Sequence, residues 1–181
     1  MTTNPGSING LNQIANPQVH ASGLSFQNDS TAQNPVGGMI RRHNGLFRYV
    51  KHSAGTGTVT PVAGAPAYAK VFTPDGSSTA VPVFTVTADQ TDSVAGLQPV
   101  GVYLTQSVVL TDGYYCWIQV GGRGSTLSTG AVAGQIIIGS SVDNIFALIS
   151  DGSTINQIPI GRICGASASG LSPTILFNMD W

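Results

Sequence analysis

From residue 46 onward, apolar and polar positions alternate over short stretches, and glycine-rich turns separate them. A period of two predicts strands near 46–51, 68–72, 81–87, 100–104, 114–120, 134–138, 145–149, 158–164 and 174–178. No extended stretch keeps a helical period, and no unit repeats at the roughly 20 to 50 residue spacing of solenoids. The pattern predicts an all-β fold, a single β-barrel or β-sandwich over 46–181. Within 81–87, Val81, Val83, Thr85 and Thr87 share one face and Pro82, Phe84 and Val86 the other; Pro82 points to an edge or a strand start. Within 114–120, Tyr114, Cys116, Ile118 and Val120 fall on one side and Tyr115, Trp117 and Gln119 on the other. A strand apolar on both sides has something packed against each. The stretch VVLTDGYYCWIQV reads as two apolar strands joined by a Thr-Asp-Gly hairpin turn, and GGRG at 121–124 as a turn between strands.

The first 45 residues follow no such rhythm. Isolated apolar residues, Ile8, Leu11, Ile14, Leu24 and Phe26, sit among Asn, Gln, Ser and Gly with Pro5, Pro17 and Pro35. Ile8, Leu11 and Ile14 suit a helical turn or two, bracketed by Gly10 and Pro17. Ordering backbone costs about 1–2 kcal/mol per residue, more than so little apolar area offsets. The segment 1–45 therefore reads as an extended arm and linker that gains order on a neighbouring subunit, with those five residues as anchors.

Charge changes the picture. Seven Lys and Arg and eight Asp make up 8% of the 181 residues, and there is no Glu, against about 25% charged residues in ordinary soluble domains. Surface polarity falls to Ser, Thr, Asn and Gln, which are cheaper to desolvate at an interface than ions. That favours a subunit of an assembly over a free monomer. No apolar run reaches the 18 or so residues of a membrane span, and MTTNPGSING lacks the basic and apolar parts of a signal peptide, which predicts synthesis in a cytoplasm. A net charge of -1 gives no field for nucleic acid, which is not expected as a partner. The one cluster of cations, Arg41, Arg42, Arg48 and Lys51 with His43, is expected to dock on acidic groups of a partner where the arm leaves the domain.

The side chains that could carry chemistry are scattered. Most aspartates adjoin turn signals, as in Asp75-Gly76, Asp112-Gly113 and Asp151-Gly152, where Asp caps its own backbone. Asp89 and Asp92 have no calcium-loop spacing, and His20, His43 and His52 have no zinc spacing. Cys116 and Cys164 sit in apolar runs and are expected to be buried, reduced thiols; Cys116 with His52 as nucleophile and base has nothing local to recommend it. No catalytic residue, metal or cofactor is expected. Tyr114, Tyr115 and Trp117 read as interface or core aromatics, with a sugar-stacking platform as the rival use.

The run GVYLTQSVVLTDGYYCWIQVGGRGSTLSTGAVAGQIII, then IGRICGASASG and TILFNMDW, resembles the β-domain of the small decoration or cement proteins that coat the heads of tailed bacteriophages. The matching positions are 101–104, 113–122, 134–138 and 160–163, within a resemblance over 97–181. It implies a non-enzymatic structural virion protein, made in the host cytoplasm and seated on the capsid exterior. Its partner would be the major capsid protein, bound as homo-oligomers, trimers by preference, that brace the shell. Many such proteins are smaller, so the arm and the segment 52–66 suggest an alternative, a tail- or fibre-associated attachment protein with a carbohydrate-binding aromatic face.

Overall fold

A computed structural model of the chain describes residues 19–20, 23–24, 28–42, 45–71, 84–93, 98–104, 109–150 and 157–179. The fold is all-β. A two-residue pair, β1 (Val19–His20) and β2 (Gly23–Leu24), stands apart from one ten-stranded sheet. That sheet comprises β3 (Met39–Arg42), β4 (Gly45–His52), β5 (Pro66–Val71), β6 (Thr85–Thr87), β7 (Pro99–Tyr103), β8 (Tyr115–Ala131), β9 (Ile136–Ile138), β10 (Ala147–Ile149), β11 (Gly161–Ile163) and β12 (Ser167–Leu176). Among the described residues one 3-10 turn, Gln90–Asp92, lies between β6 and β7.

Five strands close on themselves. β8 pairs with β7, β7 with β5, β5 with β6, β6 with β4, and β4 returns to β8. Every pairing in the ring is antiparallel except β4 with β6. A ring of five has a narrow interior, and small side chains fill much of it: Ala65, Ala67, Ala69 and Ala88 lie among Val50, Val86, Val100, Tyr103, Cys116, Ile118 and Val120. Alternation on β5 sends Ala67 and Ala69 inward, while Tyr68 turns out and trades hydrogen bonds with the backbone of Ser140. Gly101 of β7 leaves no room for a side chain, since a Cβ there would come 2.6 Å from Ile118 Cδ1 and 3.1 Å from Gln119 O.

β8 runs for 17 residues and serves twice. Its first half belongs to the ring; its second half pairs with β12, and β11, β9 and β10 follow outward. Ala131, Ile137, Phe146, Ile160, Ile163 and Leu176, with Val102 from the ring, form the second core. The strand goes straight through Gly121–Gly124, the stretch that the sequence suggests as a turn. The register against β4 slips between Leu46 and Phe47, a bulge that turns β8 from one neighbour to the next. Gln119 Nε2 donates to the carbonyls of Gly121 and Arg123, and a Cβ at Gly124 would overlap that same side chain. Gly124 leaves room for Gln119, which folds back along its own strand, whereas a Cβ at Gly121 would meet Asn178 Oδ1 and Gly122 has a φ of 83°.

The Thr-Asp-Gly turn forms, with Gly113 at φ 77° and Tyr114 N–H donating to Thr111 O, but not as a hairpin. Residues 109–111 are not strand. β8 takes β4 and β7 as partners instead, because the turn is tied across to β4: Gly113 N–H donates to His52 O, and Ala54 N–H to Asp112 Oδ1.

Candidate functional site

Both sides of the first half of β8 are covered, as the alternation predicts. Cys116, Ile118 and Val120 point into the ring. On its outside, Trp117 packs with Tyr49, Phe47 and Ile40, flanked by Val36, Leu104 and Tyr115. The ring planes of Tyr49 and Trp117 meet at 56° with centroids 5.1 Å apart, and Tyr49 stacks on Tyr115 at 6.1 Å and 13°. Much of the cover comes from the end of the segment that the sequence assigns to an arm. Asp29 exchanges backbone hydrogen bonds with Tyr115, the Tyr49 hydroxyl donates to Asp29 Oδ2 at 2.7 Å, and Gln33 N–H donates to the Tyr49 oxygen. Asn28 holds Thr111, and β3 pairs with β4 over four residues. Residues 28–42 are thus laid on the chain's own ring. Burial, with the Asp29 carboxylate beside it, pushes the Tyr49 phenol up.

This arrangement takes Trp117 out of the sugar platform that the sequence allows as a rival use. Trp117 has no exposed surface, Tyr115 is stacked on Tyr49, and Tyr114 is half-buried. Of the arm anchors, Ile8, Leu11, Ile14 and Phe26 lie outside the described residues, and Leu24 is placed only as backbone in β2.

The four cations do not form one patch. Side chains alternate along β3 and β4, and the register pairs Arg41 with Leu46 and Met39 with Arg48 on one face, Arg42 with Gly45 on the other. Arg48 is buried; its guanidinium lies 5.2 Å over the Phe84 ring, and it donates to Met39 Sδ. Only Arg41 is well exposed, while Arg42 and Lys51 are half-buried.

Groups with chemical potential are engaged in holding loops. Asp89 accepts from Gly57 N–H, Thr91 N–H and the Thr91 hydroxyl, and the hydroxyl above all holds its carboxyl below the usual range. Asp92 is bridged at 2.8 Å to Lys70, which likewise lowers it. Asp143 accepts from Gln90 N–H, and the Ala54 N–H lowers Asp112. His52 is sealed in the ring with Nδ1 2.9 Å from the Tyr103 hydroxyl, and Nε2 has no hydrogen-bond partner among the described residues. Burial lowers it to about 4, so it is neutral at ordinary pH. Burial raises the Cys116 thiol far out of the nucleophilic range. No group of three or more metal-ligating side chains occurs among the described residues.

Cys164 departs from expectation. It is a free thiol, and it is exposed. It follows Ile163, the last inward residue of β11, and alternation turns it outward, with its N–H donating to Pro173 O. Maleimide labelling of the native protein is expected to modify Cys164 alone, with Cys116 reacting only on unfolding; two reactive thiols in the native state would contradict the placement.

The surface that sequence reasoning missed is on β12. Two of its inward residues are hydroxyls: Thr174 and Ser172 are buried and bonded to Thr126 and Ser128 at 2.7 and 3.3 Å. Its outward residues are Leu171, Pro173 and Ile175, with Phe177 just beyond the strand, and all are exposed. The alternation in LSPTILF was legible, but a pattern of two does not say which set faces in.

No protein-family model matches the chain, and no curated protein does.

Proposed function

We propose that this protein is a structural subunit that binds the exterior of a tailed-bacteriophage capsid as a decoration or cement protein, in contact with the major capsid protein. The observation that carries the reading is where the resembling stretches fall. Residues 101–104 run from β7 and 113–122 into β8, paired strands of the ring; 134–138 and 160–163 end in β9 and β11, paired strands of the outer sheet. The resemblance therefore follows the frame of the fold. Scarce charge supports an assembly subunit, as does the loop duty of the described Asp89, Asp92, Asp112 and Asp143.

The test uses capsid shells purified from a phage that encodes the chain but lacks it on the particle. The full chain is expected to cosediment with shells and to raise their resistance to heat; no cosedimentation sinks the proposal. Truncation separates two parts of the leading segment. Removing 1–27 is expected to leave a folded domain that binds shells less tightly, since the proposed anchors go with it. Removing 1–38 takes away Asp29 and Gln33 as well, leaves the Tyr49 hydroxyl without partners, and is expected to cost about 2 kcal/mol of stability in denaturant melts.

A further inference from the structure

The turn at 109–113 closes over the ring. Leu110 is buried there in the same core as Val50, Tyr103 and Cys116. The turn hangs on the end of β4: Gly113 N–H donates to His52 O, His52 N–H to Tyr114 O, and Ala54 N–H to Asp112 Oδ1. Asn28 ties it to the leading segment, giving Nδ2 to Val109 O and to the Thr111 hydroxyl and accepting from Thr111 N–H. Val109, Thr111 and Asp112 are exposed. A segment held by a few hydrogen bonds and one buried apolar side chain opens at lower cost than the whole domain unfolds.

The residue that carries the turn on its backbone has its imidazole sealed inside. His52 has no exposed surface; Nδ1 meets the Tyr103 hydroxyl, and Nε2 has no hydrogen-bond partner among the described residues. A neutral imidazole fits this place. An imidazolium carries a donor on each nitrogen, and the second would lie buried without an acceptor, where a charge is costly. The groups around it do not supply one. β7 brings Tyr103, β5 brings Lys70, which opposes the charge, β8 brings the Cys116 thiol, which burial keeps neutral, and Thr85–Thr87 of β6 brings no titratable group. The turn brings the Tyr114 phenol and Asp112; Asp112 favours the charge, but its Oδ1 is taken by Ala54 N–H. We propose that residues 109–113 are an acid-opened lid on the ring with His52 as its trigger, a proton on the imidazole being accommodated only when the turn lifts and lets it reach water. Lifting breaks the bonds of His52 and Ala54 to the turn and frees Asn28 to leave with it. The inference concerns the chain alone and does not depend on the shell-binding reading.

In the closed form His52 stays neutral down to about 4, whereas an imidazole in water takes its proton near 6.5. The open form therefore binds more protons across that window, and its population is expected to rise about tenfold for each pH unit as pH falls from about 6.5 to about 4. Residue-resolved hydrogen exchange on the full chain, corrected for the intrinsic pH dependence of exchange, measures that population. The amides of His52, Ala54, Thr111 and Gly113 are expected to be less protected than those of β12 and the second half of β8, and to be insensitive to low urea, as a local opening is. Their protection is expected to fall about tenfold per pH unit through the window. If they share the protection and the urea dependence of β12, the turn leaves only with the whole fold and the proposal is overturned. Protection that does not change with pH overturns it too, since the lid then opens without His52. In His52→Gln the pH dependence is expected to vanish; if it persists, another group is the trigger and the proposal fails. Should that variant not fold, the His52 imidazole resonances of the parent chain decide: protonation near 6.5 with the lid amides still protected would overturn the proposal.

Discussion

Replacing Trp117 with alanine is expected to destabilise the protein by about 4 kcal/mol, a large share of what a domain of this size has. The indole has no exposed surface and is packed between the ring of Tyr49 and the side chains of Phe47 and Ile40. Removing it opens a cavity beneath residues 28–42, and the aromatic stack of Tyr49 and Tyr115 loses its floor. Trp117→Phe separates packing from polarity. The indole Nε1 has no hydrogen-bond partner among the described residues, so phenylalanine relieves a desolvated donor while it loses some area, and a cost within about 1.5 kcal/mol is expected. Urea melts of the two variants decide the matter. A Trp117→Ala cost under about 1 kcal/mol would show that this side chain is not the core of the outer cluster.

The domain is also expected to lose about 3 kcal/mol between neutral pH and pH about 4, through one side chain. His52 is neutral in the folded state down to about 4 because burial opposes its charge, with Lys70 adding to the effect and Asp112 opposing it. Unfolded, it takes up a proton near its ordinary value of about 6.5. Across that window the unfolded chain binds more protons than the folded one, so stability rises with pH from about 4 to 6.5 and is level above. Asp89, Asp92 and Asp112 act lower. Their carboxyls are held below the usual range, so the stability they contribute is present above about 4 and is lost as pH falls further. Denaturant melts at several pH values should therefore show two separate declines. In His52→Gln the upper decline is expected to vanish and the lower one to remain; an unchanged upper decline would place its origin in another group.

Much of the fold could be read from the period of the chain, and the misses have physical causes. The two-sided strand at 115–120 was legible because Cys116, Ile118 and Val120 alternate with Tyr115 and Trp117, and few other placements bury both sets. Its continuation through Gly121–Gly124 was not, because glycine signals a turn when only local preferences count. Here the side chain of Gln119, folded back on the strand, occupies the space that a side chain at Gly124 would need, Asn178 the space at Gly121, and Gly122 takes a positive φ. The hairpin at 108–120 misled for a related reason: the Thr-Asp-Gly turn is real, but partner choice is non-local, and β4 lies closer to hand. Residues 28–42 looked unable to pay for their own ordering, a judgement that counted only apolar side chains. What holds them is largely polar, through Asn28, Asp29 and Gln33, together with Ile40 over Phe47.

The exposed row on β12 and the split of Arg41, Arg42, Arg48 and Lys51 over two faces were hidden by the same limit. Strand alternation tells which residues travel together and leaves open which set turns to the core. Buried Ser172 and Thr174 settle it by finding Ser128 and Thr126 across the sheet, a pairing that links positions more than forty residues apart.

The length of β8 has a consequence for how the molecule would yield. One continuous backbone is both a stave of the closed ring and the base of the outer sheet, so a load that β12 hands to β8 across their hydrogen bonds then passes along covalent bonds into the ring. Peeling the outer strands away would free the second half of β8 and leave its first half clasped by β4 on one edge and β7 on the other. The ring is expected to be the last part to let go under tension.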